Sequence, residues 1–125
     1  MTEKKKRLAA FDDDEDLLNI FRFLFEDEGW EVETFSSCDE VIAVTKDFKP
    51  DLILMDNWIP SIGGIQATRL LKSHPDLKRI PVVYVSANNE IKELSIRAGA
   101  DGFIAKPFDF TALLKLASSL VENYC

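Results

Sequence analysis

The chain is poor in cysteine and histidine, the residues that supply disulfides and most zinc ligands. Its 125 residues include two cysteines, Cys38 and Cys125, and one histidine. The cysteines share no short spacing, and one of them is the last residue, which argues against a disulfide framework and against a thiolate metal site. This cysteine usage is typical of a reducing cytosol.

The sequence also lacks a long hydrophobic run. No apolar stretch approaches the roughly 20 residues that a membrane-spanning helix needs. A basic stretch lies near the start, but the apolar part that follows it, residues 8–11, is too short for the hydrophobic region of a secretory signal. We therefore expect a soluble, cytoplasmic protein without membrane insertion.

Positive charge is in short supply. The chain has 15 basic and 22 acidic side chains and a formal net charge of -7. Such a surface repels phosphate backbones, so direct binding of nucleic acid is not expected. The one basic patch, residues 4–7, is most simply a solvated lead-in to the first strand, because a nucleic-acid-binding arm is usually longer and richer in arginine.

Five short apolar runs alternate with stretches of helical periodicity, and no repeat, low-complexity tract or linker divides them. With 46% hydrophobic residues, the chain has enough apolar side chains for one core, which predicts a single domain over residues 1–125. The predicted strands lie near residues 7–11, 31–35, 52–56, 81–86 and 102–105.

Strict alternation of strands and helices predicts an α/β fold: one doubly wound, five-stranded parallel sheet with helices on both faces. The third and fourth runs are almost continuously apolar, as central strands are, whereas residues 31–34 alternate as an edge strand does. These patterns are compatible with the flavodoxin-like strand order 2-1-3-4-5. Asp14 is predicted to cap the first helix, Ser37 and Glu40 to form a capping box for the second, and Gly99 to end the fourth.

Polar residues follow these apolar runs at the ends that share one rim of such a sheet. They are Asp12 and Asp13, Asp56, Ser86 and Lys106. Ligands of open α/β sheets bind at this rim. Three ionised carboxylates repel one another, and a hard divalent ion would stabilise them; Mg²⁺ is favoured because neither histidine nor cysteine is nearby. A carboxylate held by a buried strand beside Mg²⁺ can act as a nucleophile toward phosphorus, with Lys106 and Ser86 placed to bind phosphoryl oxygens.

Together these motifs resemble the receiver domain of two-component response regulators over nearly the whole chain. The matching positions are the acid pair, the aspartate that ends the third strand, the hydroxyl residue and the lysine-proline pair. Loop positions also fit, namely Pro60, Gly64, Ala87 and the turn over residues 99–102. The resemblance implies that Asp56 accepts a phosphoryl group from a phosphohistidine of a sensor histidine kinase or phosphotransfer protein. It implies a domain that assists its own phosphorylation and dephosphorylation and is not a turnover enzyme on a separate substrate.

The resemblance also implies the ligands and the switch. Asp13, Asp56 and the backbone carbonyl of Trp58 would bind Mg²⁺ directly, Asp12 would act through a metal-bound water, and Lys106 would pair with the phosphoryl group. The peptide bond before Pro107 is expected to be cis. Ser86 and Phe103 would couple phosphorylation to the surface of the fourth helix, fifth strand and fifth helix, and would drive binding of an unknown target or dimerisation. Alternatively, Phe103 is an ordinary core residue.

Other interpretations remain open at this point. Residues 12–14 contain the Asp-x-Asp of a Mg²⁺-dependent phosphatase of the haloacid-dehalogenase type. That family has threonine or valine where this chain has Asp16, and it has a later acid pair that is missing here. A flavodoxin-like cofactor module would need a serine-, threonine- and glycine-rich loop in place of five consecutive acids. Within the receiver interpretation, a stand-alone signalling protein is favoured over a domain excised from a longer regulator.

Overall fold

The structure, a computed structural model, describes residues 5–56, 63–87, 90–106 and 108–124. Five strands form its sheet. They are β1 (Arg7–Phe11), β2 (Glu31–Phe35), β3 (Leu52–Asp56), β4 (Val82–Ser86) and β5 (Gly102–Ala105). All neighbouring strands are parallel and their order is β2-β1-β3-β4-β5. The predicted fold class and strand order are confirmed.

Burial follows the position of each strand in the sheet. Every residue of β3 and β4 is buried, whereas β2 alternates between exposed and buried positions at its start. The prediction that the third and fourth strands are central and the second is an edge is confirmed. β4 begins at Val82 and not at Pro81, because proline has no N–H; the Pro81 carbonyl accepts a hydrogen bond from Ile53 N–H (3.0 Å).

Five helices cover the two faces. They are α1 (Glu15–Asp27), α2 (Val41–Phe48), α3 (Gly63–Ser73), α4 (Ile91–Ala98) and α5 (Phe110–Tyr124). The largest core cluster joins α1 and α5 to alternate residues of the strands, and two further clusters join α2, α3 and α4 to the opposite face. Such a two-faced cover is what a right-handed succession of βα units produces.

The ends of the helices agree with the sequence prediction except at α2. Asp14 caps α1: its Oδ1 accepts hydrogen bonds from the N–H groups of Asp16 and Leu17. Gly99 ends α4 in the left-handed conformation, at φ 85°, which glycine adopts without strain. The capping box predicted for α2 is wrong. Ser37 Oγ accepts a hydrogen bond from Asp39 N–H within its own turn, and the helix begins only after Glu40.

A polar cluster at the opposite end of the sheet was not predicted. The Lys72 ammonium forms an ion pair with Asp101 and also donates to the carbonyls of Ile80 (2.8 Å) and Lys78 (3.1 Å). Asp101 in turn accepts a hydrogen bond from Val82 N–H, the first N–H of β4, at 2.8 Å. One lysine of α3 therefore holds the chain that enters β4 and the turn that enters β5.

None of the helices within the described residues is long and apolar enough to cross a membrane.

Replacing Lys72 with methionine should lower the free energy of unfolding by roughly 2 kcal/mol or more, since Asp101 and two carbonyls lose their shared donor while most of the side-chain volume remains. Denaturant unfolding of the purified protein measures this change. Lys115→Met, at an exposed position of α5, is the matched control and should be close to neutral. Equal midpoints for the two variants would show that the cluster does not stabilise the fold.

Candidate functional site

The predicted acidic residues meet at the carboxyl ends of β1 and β3. Asp12 follows β1 directly and Asp56 is the last residue of β3. These strands are neighbours, and Phe11 lies opposite Met55, so Asp12 and Asp56 lie at the same level of the sheet. Both side chains are buried, with 1% and 4% of the residue surface exposed. Burying an ionised carboxylate costs free energy unless a cation or hydrogen-bond donors compensate its charge, so these two side chains need such a partner.

Lys106 is that partner. It follows β5, and its Nζ lies 2.9 Å from Oδ1 of Asp56 and 3.3 Å from Oδ2 of Asp12. Its backbone N–H donates to the carbonyl of Ser86 (2.9 Å), which continues the pairing of β5 with β4 past the last strand residue. The Lys106 ammonium thus contacts two carboxylates that lie 94 positions (Asp12) and 50 positions (Asp56) before it in the sequence.

Backbone groups fix the orientation of Asp12. Its Oδ1 accepts a hydrogen bond from Asp14 N–H (2.9 Å), and its own N–H donates to the carbonyl of Phe35 at the end of β2 (3.1 Å). Asp14 therefore has two roles, because its side chain caps α1 while its N–H holds the buried carboxylate. The sequence identified the cap but not this second role.

Burial and nearby charge act on the pKa values of both Asp12 and Lys106. Burial raises the pKa of Asp12 to about 6; the nearby charge of Asp56 raises it too, whereas the Asp14 N–H and the Lys106 ammonium act in the opposite direction. For Lys106, burial lowers the pKa, but its bond to Asp56 and the charges of both carboxylates outweigh burial and leave the pKa above its ordinary value. The lysine therefore stays protonated near neutral pH.

A metal site can be formed by the three carboxylates. Asp13 is exposed, and one oxygen from each of Asp12, Asp13 and Asp56 lies within 4.8 Å of the others. Three carboxylates and one ammonium leave an excess of negative charge among these residues. Carboxylate oxygens suit a hard cation such as Mg²⁺, which commonly binds one or two carboxylates together with water and phosphate oxygens. The donor set therefore fits the predicted ion.

Two further predicted residues lie on the neighbouring strands. Ser86 ends β4 and is buried, and it lies one residue beyond Val85, which is opposite Asp56. Phe103 lies on the edge strand β5 opposite Tyr84, and 40% of its surface is exposed whereas Tyr84 is fully buried. The alternative that Phe103 is an ordinary core residue is wrong, because its exposed fraction is that of a surface side chain.

Several predicted features lie outside the described residues. They are the Trp58 carbonyl as a metal ligand, the peptide bond before Pro107, and the loop residue Pro60.

An aromatic contact next to the site was missed by sequence reasoning. The ring of Phe108, two residues after Lys106, stacks on the ring of Phe21 in α1, with centroids 5.9 Å apart and planes at 11°. Phe110 contacts Phe108 edge to face, at 5.7 Å. The signal available in the sequence was the two phenylalanines that follow the lysine-proline motif on either side of Asp109.

A family model for the response regulator receiver domain matches residues 9–118. The chain belongs to this family, which places it among the receiver domains of two-component signalling and sets aside the phosphatase and cofactor-module alternatives. Receiver domains are signalling domains, not classical turnover enzymes.

Individual relatives agree with the family match. The chain is 30% identical, over 119 residues, to the phosphate regulon transcriptional regulatory protein PhoB of Rhizobium meliloti; the alignment covers 94% of this chain and 52% of PhoB. It is 30% identical, over 120 residues, to the polar-differentiation response regulator DivK of Brucella ovis, covering 94% of this chain and 98% of DivK. The chain thus spans about half of one relative and nearly all of the other.

A solved structure shows the same fold. The receiver domain of the sensor histidine kinase PA1611 from Pseudomonas aeruginosa superposes with a TM-score of 0.87 at 21% identity, over 95% of this chain and 99% of that domain. That crystal structure has a magnesium ion coordinated in its active-site cleft.

Replacing Asp12 with asparagine should stabilise the protein at pH 7.5 in the presence of EDTA. The folded-state pKa of Asp12, about 6, lies above the value of about 3.9 for an unfolded chain. Ionising this carboxyl therefore lowers the free energy of unfolding. The loss is absent below about pH 4 and complete above about pH 6, where it amounts to at most about 3 kcal/mol.

Thermal unfolding in EDTA at pH 5 and pH 7.5 tests this expectation. The gain from Asp12→Asn should be larger at pH 7.5 and should shrink at pH 5. A gain that is independent of pH, or a loss at both values, would contradict a raised pKa at this position.

Proposed function

We propose that the protein is a phosphoacceptor of a two-component phosphorelay and that Asp56 is the residue phosphorylated. The observation that supports this proposal most strongly is the 2.9 Å contact between the Asp56 carboxylate and Lys106 at a buried strand end. A carboxylate held there has one oxygen on the ammonium, and phosphoryl transfer depends mainly on such positioning and charge neutralisation.

The phosphoryl donor is proposed to be a phosphohistidine on a sensor histidine kinase or a phosphotransfer protein. A carboxylate oxygen of Asp56 attacks phosphorus, an O–P bond forms while the N–P bond of the donor breaks, and the electron pair stays on the imidazole nitrogen. The product is an acyl phosphate on Asp56. The reaction needs no second small-molecule substrate, in agreement with a signalling domain that is not a turnover enzyme.

Lys106 is proposed to stabilise the negative charge at Asp56 both before and after phosphoryl transfer. Before transfer it offsets part of the charge of Asp56 and Asp12; after transfer the acyl phosphate carries two negative charges close to the same ammonium. Because its pKa is raised, the lysine remains a cation throughout. Arrangements of this kind stabilise charge that develops during a reaction without requiring solvent to reorganise.

Mg²⁺ is the proposed cofactor, and Asp13 and Asp56 would hold it directly with the Trp58 carbonyl, while Asp12 would act through a bound water. When bound, the ion neutralises the carboxylates and the phosphoryl oxygens. This assignment is supported by the oxygen-only donor set of the three aspartates. The magnesium in the PA1611 domain supports it by similarity of fold.

The output is proposed to pass through Ser86 and Phe103 to the surface formed by α4, β5 and α5. Ser86 lies at the rim beside Asp56, and Phe103 is exposed on the edge strand, where a change of ring position would alter that surface. A phosphoryl group that stabilised one position of the hydroxyl and the ring would shift a two-state equilibrium. The partner of the shifted state would be a downstream protein or a second copy of the chain.

The wider organisation is also a proposal. We expect the sheet and its helices to be a single receiver domain in the cytoplasm. The chain covers 98% of DivK and 52% of PhoB, so its relatives include both short response regulators and longer ones.

Mg²⁺ should raise the melting temperature of the wild-type protein, since binding only to the folded state stabilises it. At a concentration ten times the dissociation constant, the gain is about 1.4 kcal/mol, or about 5 °C for a domain of this size. Asp13→Asn should abolish the shift. Asp16→Asn, which removes the same charge from an exposed position of α1, should keep it; a shift that persists in Asp13→Asn would rule out the proposed ligand set.

Asp56→Asn should eliminate phosphorylation by phosphoramidate, a small donor whose P–N bond resembles that of phosphohistidine. Separation of the phosphorylated and unmodified forms by Phos-tag electrophoresis measures the effect. Asp47→Asn, at an exposed site on α2, is the matched control and should be modified like the wild type. Modification of Asp56→Asn at the wild-type rate would refute the assigned acceptor.

A further inference from the structure

The cation of the site lies at the end of an edge strand, which makes its position depend on contacts beyond the sheet. Among the strands of the described residues, β5 pairs with β4 alone, and the chain at Lys106 is held on that side by the bond from its N–H to the Ser86 carbonyl. Edge strands are the least constrained part of a sheet. Yet the Lys106 ammonium must stay within hydrogen-bond distance of a buried carboxylate on β3, two strands away.

Phe108 supplies a contact on the other side. Its ring stacks on Phe21, which is 1% exposed and belongs to the core cluster under α1. The ring of Phe110 contacts Phe108 edge to face, so Phe108 is held by two aromatic neighbours. Offset-stacked and edge-to-face ring pairs contribute beyond simple area burial and have defined geometry. Phe108 and the first residue of α5 are therefore packed against α1 or against each other.

The same helix is tied to the acidic side of the site. α1 begins after Asp14, whose N–H holds the Asp12 carboxylate, and Phe21 lies about two turns further along the helix. The Phe21–Phe108 stack thus joins the segment that carries the buried anion to the segment that carries its cation. The Lys106–Asp12 ion pair joins the same two segments at their polar ends, 94 residues apart, so the stack is a second, apolar link between them.

We infer that Phe108 is a positioning residue for Lys106: its stack on Phe21 keeps the ammonium at its short distance from Asp56. This inference rests on the proposed function for its kinetic consequence. A displacement of about 1 Å would take a 2.9 Å contact beyond hydrogen-bond range. Misplacement of that size in a catalytic group lowers rates by up to roughly 100-fold.

A double-mutant cycle on the full chain tests the inference. Phosphorylation by phosphoramidate with Mg²⁺ is measured for wild type, Phe108→Ala, Lys106→Ala and the double variant. In the wild-type background, Phe108→Ala should lower the phosphorylation rate roughly tenfold. In the Lys106→Ala background, it should change that rate by less than about twofold, because the ring acts through the lysine. A similar loss in both backgrounds would mean that the ring only supports the fold, and would overturn the inference.

Matched variants separate positioning from packing. Leu114→Ala removes a half-buried side chain of α5 from the same core cluster but leaves all three rings in place, and should keep the wild-type rate below its melting transition. Phe108→Tyr keeps the ring and should restore the rate, whereas Phe108→Leu should not. Rates for Phe108→Leu equal to the wild type would also overturn the inference.

A second readout needs no phosphorylation. In protein labelled with ¹³C at the lysine side chains, the Lys106 Cε signal should differ between wild type and Asp56→Asn, which weakens its ion pair. In Phe108→Ala, measured without phosphoramidate, the chemical shift of Lys106 Cε should move toward that of Asp56→Asn. A chemical shift equal to that of the wild type would contradict the inference. If the wild type itself takes up no phosphoryl group, the proposed function fails while this signal still decides the role of Phe108.

Discussion

The structure of the site depends on one ammonium shared between two buried carboxylates. Asp12 and Asp56 lie at neighbouring strand ends with almost no exposed surface, and Lys106 contacts both. Without that cation the two carboxylates would repel each other where little water can screen them. With it the two buried carboxylates still exceed the ammonium by one negative charge, and Asp13 adds another, which makes a divalent cation the natural complement.

The topology explains how residues so distant in sequence reach one point. Strand order 2-1-3-4-5 places β1 beside β3 at the centre of the sheet, so the carboxyl ends that carry Asp12 and Asp56 are adjacent, and β4 separates them from the edge strand that carries Lys106. The side chain of the lysine spans this gap. An edge strand and an aromatic stack therefore determine where the cation lies, while the central strands determine where the acids lie.

Sequence reasoning succeeded where the pattern is local or dictated by burial. The central strands were readable because residues 52–56 and 82–86 are apolar along most of their length, and the rim residues were readable because polar side chains interrupt such runs. It failed where a contact depends on distant segments. The hydrogen bonds of Lys72 and the stack of Phe108 on Phe21 arise from three-dimensional packing, which leaves no periodic signal. The late start of α2 has a local cause, because Ser37 accepts a hydrogen bond within its own turn instead of capping the helix.

The central claim is that a buried aspartate at the end of β3 becomes covalently phosphorylated. Borohydride reduction of the protein after treatment with phosphoramidate and Mg²⁺, followed by peptide mass spectrometry, locates an aspartyl phosphate as a homoserine residue. The account predicts homoserine at position 56 and none in protein kept without the donor. Homoserine at Asp12 or Asp13, or a stable phosphate on Ser86 with position 56 unchanged, would contradict it.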